Sequence, residues 1–170
     1  EMITTVMLTF ESSSGDIVEA SFYDPMDGSD PTTDDLTLVN GEGYTLSVSF
    51  WNELEDPAED ITEEIHDEAE EHQVFLYGDA VGSAASQADD PLIETTYVDT
   101  DEAGLDLGLE HDVTVLQAGT GTLSLLLRHM PTENGESVKT ADLASDFIDG
   151  GSSALPGATD VDVDFTLVIE

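Results

Sequence analysis

Four histidines stand out in this chain, because imidazole is the side chain best suited to bind a transition metal. His66 and His72 flank a helix-like segment, His111 precedes a strand-like one and His129 ends another. The spacing of His66 and His72 puts them about 240° apart on a regular helix, so they share a metal only if the helix ends before His72. A pair of His72 and His129 at one end of the fold, with a carboxylate such as Glu68, would suit Zn or Cu. The alternative is that each histidine is a hydrogen-bonded residue of the core or rim.

His72 is the histidine with the clearest structural expectation. It follows the apolar face of the helix-like segment and immediately precedes a strand, so we expect its ring to be buried. A buried imidazole should be neutral or hydrogen-bonded to a carboxylate or carbonyl. If His72 is a ligand, its second ring nitrogen should be held in the same way, as metal-bound imidazoles usually are. If it is structural, His72→Gln should lower stability and leave metal affinity unchanged.

Two acidic loops form a second candidate site, for Ca²⁺. Their carboxylates stand at alternating or nearly alternating positions, and glycine makes the turn. Hard oxygen ligands at such spacing suit Ca²⁺, although neither loop has the full spacing of an EF-hand. The alternative is an ordinary solvated acidic turn. The predicted ligands are Asp24, Asp27 and Asp30 in the first loop, and Asp99 and Asp101 in the second.

Catalytic motifs are not found in the sequence. It has no nucleophile elbow, no glycine-rich phosphate loop and no His-Glu-x-x-His. Carboxylates are so numerous that no pair is singled out as an acid–base couple. We therefore do not expect an enzyme.

Alternation of apolar and polar residues dominates the segments that must position these side chains. Short runs of this kind are separated by Gly, Pro and Asp turns, which predicts a single domain over residues 1–170. The predicted fold is mainly β, an antiparallel immunoglobulin-like β-sandwich with one short helix. The predicted strands are 2–10, 16–23, 36–39, 44–51, 73–77, 92–98, 112–117, 122–129 and 160–169.

One segment has helical periodicity instead. Asp60 followed by Glu63 resembles an N-cap with a capping glutamate, and Ile61, Ile65 and Ala69 then share one face. We predict a helix over 61–71 that covers an open end or edge of the sandwich. Residues 78–91 and 131–159 show little periodicity, and the second stretch is predicted to be a surface excursion.

The charge of the chain is extreme, with forty Asp and Glu against two basic residues, Arg128 and Lys139, and a formal net charge of -38. A folded protein of this mass carries roughly one net negative charge per 200 Å² of surface. Such self-repulsion destabilises a compact state in dilute buffer and fades in concentrated salt, so the composition predicts a hypersaline environment. Binding to nucleic acid or to anionic membranes is excluded, because both need Lys and Arg.

The composition also excludes several kinds of bond, metal site and segment. The chain has no cysteine, so disulfides and thiolate metal sites are impossible. It has no run of eighteen apolar residues that would span a bilayer. Because the sequence begins with Glu1, we expect any signal peptide or lipid-anchored cysteine to lie upstream.

Several segments together resemble a family of small exported lipoproteins of Bacteroidetes and their relatives. The segments are 54–77, with Asp60-Ile61-Thr62-Glu63-Glu64-Ile65 and Glu71-His72-Gln73-Val74-Phe75; 97–101 with Leu107-Gly108-Leu109; and 119–131 with Arg128-His129. Members are often labelled as having a type 1 periplasmic binding fold, a doubly wound α/β label that the strand pattern contradicts. The chain departs from the family in its acidity and in its 24–35 loop, an altered Asp/Gly-rich turn.

The resemblance implies export, lipid anchoring in the outer membrane and association with a TonB-dependent receptor. With the charge, it indicates an extreme halophile of that lineage. The leading interpretation is therefore a non-enzymatic binding module, secreted to the periplasm or cell surface, that handles a metal ion or assists a receptor. The alternative is a structural subunit of a surface layer or filament that self-associates through β-edges, with residues 2–10 or 160–169 as exchanged strands.

Overall fold

Two β-sheets make up most of the protein, and the computed structural model describes residues 2–170. The prediction of a mainly β sandwich is confirmed. The strands are β1 (Thr5–Ser12), β2 (Ile17–Tyr23), β3 (Thr32–Thr33), β4 (Leu36–Leu38), β5 (Gly43–Asn52), β6 (Glu59–Asp60), β7 (His72–Tyr77), β8 (Val81–Ser83), β9 (Ser86–Gln87), β10 (Ile93–Tyr97), β11 (Glu110–Val115), β12 (Gly119–His129) and β13 (Ala158–Ile169). The helices are α1 (Ile61–Asp67) and α2 (Leu143–Gly150), with 3-10 turns at Ala69–Glu71 and Gly151–Ala154.

The larger sheet has the order β3-β2-β1-β5-β11-β10-β8-β9, with β6 beside β5, and the smaller one has the order β4-β13-β12-β7. Most pairs are antiparallel, but β4 runs parallel to β13 and β8 runs parallel to β10. The sheets are therefore mixed, and the prediction of a wholly antiparallel sandwich is corrected in these two short pairs. The first and last strands, β1 and β13, are each paired on both sides within the chain.

The core lies between the two sheets and is built from the inward members of the alternating strands. Leu8, Phe10 and Phe50 of the larger sheet join Phe165 and Leu167 of the smaller one in a single cluster, and all five are fully buried. Period-two patterning places these side chains on one face of each strand, so burying them fixes the pairing register.

A second apolar cluster covers the outer face of the smaller sheet, where the sequence predicted only a surface excursion. Helix α2 lies within residues 131–159, so the structure has two helices instead of the one predicted. Phe147 of α2 packs on Phe75 and Tyr77, with ring centroids 5.3 and 5.1 Å apart. Strands β7 and β12 are consequently buried on both faces, which is why their apolar residues run on without alternation.

Helix α1 begins where the sequence predicted and ends earlier. The Asp60 side chain accepts a hydrogen bond from the Thr62 amide at 2.9 Å, the expected N-cap. Regular helix ends at Asp67 instead of residue 71, because Glu68 leaves the helical region and a 3-10 turn follows. His72 therefore lies on a strand and not on the helix. None of the helices in the described part of the chain is long and apolar enough to cross a membrane.

Candidate metal centre

His72 and His129 are brought together by strand pairing. His72 begins β7, His129 ends β12, and the two residues are direct partners in the antiparallel ladder. Cross-strand partners project from the same face of a sheet, so their side chains meet. The two imidazole rings stack with centroids 4.5 Å apart and planes inclined by 11°.

The ring of His72 is buried and its orientation is fixed by the turn before it. His72 has 0% exposure, and its Nδ1 lies 3.1 Å from the backbone oxygen of Glu68. A carbonyl oxygen can only accept, so Nδ1 carries the proton and donates it. In the neutral ring the lone pair is then on Nε2. This is the arrangement expected of a metal-binding imidazole, in which the second nitrogen donates to a carbonyl.

His129 occupies the rim, where Glu71 holds it. Its side chain is 31% exposed, and its Nε2 lies 3.5 Å from Oε2 of Glu71. The Glu71 carboxylate also accepts a hydrogen bond from the Thr132 amide at 3.2 Å. That hydrogen bond, followed by the contact with His129, lowers the pKa of Glu71 below its ordinary value against the opposing effect of burial. Glu71 is thus an ionised partner for His129.

The end of β12 that carries His129 is fixed by its neighbours. The Arg128 guanidinium donates to the backbone oxygens of Leu155, Pro156 and Gly157, each at 2.8 Å. Gly157 has a φ of +74, and a Cβ there would lie 2.0 Å from the backbone oxygen of His129. Only glycine permits this close approach. The backbone of His129 is therefore held while its side chain faces the rim.

Glu68 completes a possible ligand set. One ligand atom from each of Glu68, His72 and His129 lies within 4.8 Å of the other two. Two imidazoles and a carboxylate suit Zn or Cu and leave a coordination position open. Imidazole lone pairs lie in the ring plane, and the two planes here are nearly parallel. Ligation by both rings therefore requires one to turn, and the partly exposed His129 is the one that can.

The other two histidines lie outside this group. His66 is exposed on α1, with its Nδ1 3.8 Å from the carboxylate of Asp67, and it is not among the converging ligand atoms. His111 is buried in the core, and its Nε2 lies 3.0 Å from the backbone oxygen of Gly108. Burial lowers the pKa of His111 to about 4, so its ring is neutral at ordinary pH.

The acidic loops offered for Ca²⁺ use their carboxylates on their own backbone. Asp24 accepts from the Met26 amide at 2.8 Å and Asp27 from the Ser29 amide at 2.9 Å, while Asp30 is exposed. Short acidic side chains commonly close such turns by binding an amide two residues ahead. Within residues 2–170, these three carboxylates do not converge on a common point.

The second loop is more buried and equally committed to its own backbone. Asp99 accepts from the amides of Gly108 and Leu109 at 2.9 and 3.0 Å. Asp101 accepts from Ala103 and Leu105 and faces Lys139. These bonds explain the Asp-rich spacing as loop closure, and the structure does not bring Asp99 and Asp101 into a cluster of cation ligands within the described chain.

Glu71 and Lys139 were not singled out by the sequence reasoning as interacting residues. Glu71 is one acid among forty, so its type carries no signal. Lys139 did carry one, because a basic residue is rare in this chain, and its partner could have been sought among the loop carboxylates.

Comparisons of the chain with protein-family models, with curated proteins and with solved structures found no match.

Proposed function

We propose that the protein is a non-enzymatic binding module that holds one transition-metal ion, Zn or Cu, between Glu68, His72 and His129. The observation that carries the proposal is His72. Its ring is buried beside His129, and its Nδ1–H is held by a carbonyl, which supports Nε2 as the ligand atom.

Of the three proposed ligands, one is held rigidly by the fold and the other two have side chains that can move. His72 is held by the strand and the preceding turn, while Glu68 is exposed and His129 lies at the rim. An ion can therefore enter from solvent, meet Glu68 and His129 first and end on the buried nitrogen. Glu71 contacts His129 in the stacked arrangement, so it is placed to act as an outer partner of that ring.

We also propose that the protein functions in concentrated salt, and its charge distribution supports this. Both basic residues of the chain are buried, Arg128 at 8% and Lys139 at 6% exposure. Both hold backbone oxygens inside the fold, so neither offsets the acids at the surface. The acidic side chains on the surface therefore repel one another, and no basic group compensates for this unless salt screens the charges.

Export, an outer-membrane lipid anchor and a TonB-dependent receptor remain predictions that rest on the family resemblance. The alternative of a structural subunit built by strand exchange also remains a prediction. The strands named as donors, β1 and β13, are inner strands with two partners each. Donating either would break two ladders, so no observation at these strands favours that alternative.

Isothermal titration with Zn²⁺ tests the metal site. The heat from Zn²⁺ binding at the many surface carboxylates has to be fitted separately from the heat of binding at this site. We expect one tight equivalent for the unmodified protein and for His66→Gln, a matched control at an exposed histidine outside the cluster. We expect His129→Gln and His72→Gln to weaken that equivalent by roughly 100-fold or more, since losing even an outer partner costs ~10–100-fold. Equal titrations for all four proteins would refute the site.

A further inference from the structure

Lys139 and Asp101 form a pair that is sealed from solvent. The Nζ of Lys139 lies 3.0 Å from Oδ2 of Asp101, and the two side chains are 0% and 1% exposed. Lys139 lies on the segment 130–142 that follows β12, called here the strap. Asp101 lies on the loop 98–109 between β10 and β11. Oδ2 makes no hydrogen bond within the described chain, so its contact with Nζ is an ion pair.

The other oxygen of Asp101 is held by two backbone amides. Oδ1 accepts from the amides of Ala103 and Leu105, each at 2.9 Å. Two amides aimed at one oxygen of a carboxyl group are the arrangement that stabilises the negative charge of a tetrahedral intermediate. The carboxyl group therefore presents Oδ2 to the amine and Oδ1 to an oxyanion hole.

Burial by itself disfavours the charged form of both groups. It lowers the pKa of Lys139 below its ordinary value. For Asp101 burial acts in the opposite sense, but the Leu105 amide and the contact with Lys139 outweigh it and lower the pKa of the carboxyl. The resting state is thus an ion pair, and one proton passed from Nζ to Oδ2 makes both groups neutral without exchange with solvent.

A third acid lies on the same loop as Asp101. Asp106 is half-buried, is bridged to Thr100 across the same loop, and interacts electrostatically with Asp101 and Lys139. Burial raises its pKa above the ordinary value, so it holds a proton more readily than an exposed aspartate. Such a group can move protons between a nitrogen and an oxygen that react beside it.

We propose that Lys139 and Asp101 condense spontaneously in the folded protein to form an intramolecular isopeptide bond. The neutral Nζ attacks Cγ of the protonated Asp101, an N–C bond forms and the electron pair of the C=O bond moves to Oδ1. Asp106 takes a proton from the nitrogen and returns one to Oδ2. The electron pair on Oδ1 then re-forms the C=O bond, the bond between Cγ and Oδ2 breaks, and Oδ2 leaves as water. An ammonium and a carboxylate thus become one secondary amide and one water, with no other reactant.

The bond would tie the strap to the loop 98–109. The strap is also held by the buried Met130 and by hydrogen bonds from the Ser137 hydroxyl to the Glu70 oxygen and from Nζ of Lys139 to the Ala69 oxygen, each at 2.9 Å. A covalent closure here links segments on either side of β11 and β12, which limits the unfolded chain and stabilises the fold.

The scarcity of basic residues makes the test simple, because trypsin has only Arg128 and Lys139 to cleave after. Protein that has been incubated folded in concentrated salt is denatured, digested and weighed by mass spectrometry. Without the bond it gives three peptides, 1–128, 129–139 and 140–170. With the bond Lys139 is no longer a cation, trypsin cuts only after Arg128, and 1–128 remains attached to 129–170. The linked species should be lighter than the sum of its two parts by one water.

Two variants show that the bond is the proposed one. Lys139→Arg keeps the cleavage site and the charge but cannot condense, and Asp101→Ala removes the acceptor, so both should give three peptides. Asp106→Asn should slow formation roughly 100-fold, the low end of the contribution of a positioned acid–base group. Three peptides from the unmodified protein would overturn the proposal, as would a linked species that persists in Asp101→Ala. An unchanged rate in Asp106→Asn would overturn the role given to Asp106.

Discussion

Two buried histidines of this protein differ in the aromatic ring that each one packs against. His72 and His111 are both buried histidines with one ring nitrogen on a carbonyl oxygen. His72 stacks on a second histidine at the rim, whereas His111 packs on the ring of Tyr97, with centroids 4.9 Å apart. The sequence predicted correctly that His72 is buried, because helix periodicity and the following strand both pointed inward. It left open whether a carboxylate or a carbonyl would bind the ring, and the structure shows the carbonyl of Glu68.

His111 gives a pH-dependent prediction at the residue scale. Its pKa is about 4 in the folded protein, below the 6.5 of a free imidazole, so the unfolded state binds a proton that the native state does not. Stability from this residue is present above about pH 6.5 and is lost as pH falls towards 4. Between about pH 7 and pH 5 the loss is about 2 kcal/mol.

Urea unfolding of His111→Gln measures that contribution against the background of the carboxylates. Glutamine keeps an amide donor for the Gly108 oxygen and does not titrate. We expect the difference in unfolding free energy between unmodified protein and variant to change by about 2 kcal/mol over that pH range. A difference that does not vary with pH would contradict the neutral, buried assignment.

At the scale of elements, period-two alternation predicted the strands well and the covering helix poorly. Strand β5 alternates cleanly because one face is core and the other is solvent. Strands β7 and β12 do not alternate, since α2 covers their outer face. The run Val74-Phe75-Leu76 was thus a sign of a third layer. The Gly- and Ser-rich composition around α2 concealed the helix itself, because packing and not propensity stabilises it.

The candidate metal centre could be predicted from the sequence only in part. Pairing of His72 with His129 could be anticipated, because both residues lie at strand ends. The exact partner register could not be anticipated, because it is set by core packing along β7 and β12. The early end of α1 was missed since Glu68 and its neighbours are ordinary helix formers, so their types do not mark the change of backbone conformation at Glu68.

Helix α2 should contribute to stability as a packed layer. Phe147 is 8% exposed and lies against Phe75 and Tyr77, so Phe147→Ala should lower the unfolding free energy by about 3 kcal/mol. Val98→Ala is the control, because Val98 is 49% exposed and the change should cost less than about 0.5 kcal/mol. Denaturant unfolding of both variants gives the comparison. Equal, small losses would mean that α2 is not a structural layer.

At the scale of the whole molecule, electrostatics should dominate the response to solvent. The chain has forty acids, and most of those in the described residues are exposed, whereas its two basic residues are internal. We expect the thermal midpoint to rise steeply between about 0.1 M and about 3 M KCl, as the screening length falls from ~10 Å to under ~3 Å. Sulfate is unsuitable because it also strengthens apolar burial. Identical midpoints in the two KCl solutions would show that surface repulsion does not limit stability.

The proposed function depends on a single metal centre at the junction of α1, β7 and β12. Anomalous diffraction at the zinc absorption edge, from crystals grown with one equivalent of Zn²⁺, tests it most directly. We expect one strong peak about 2.0–2.1 Å from a nitrogen of His72 and of His129, with an oxygen of Glu68 at a similar distance. We also expect the His129 ring to have turned out of the stack. Peaks found solely at surface carboxylates, with the two rings still parallel, would contradict the proposed metal site.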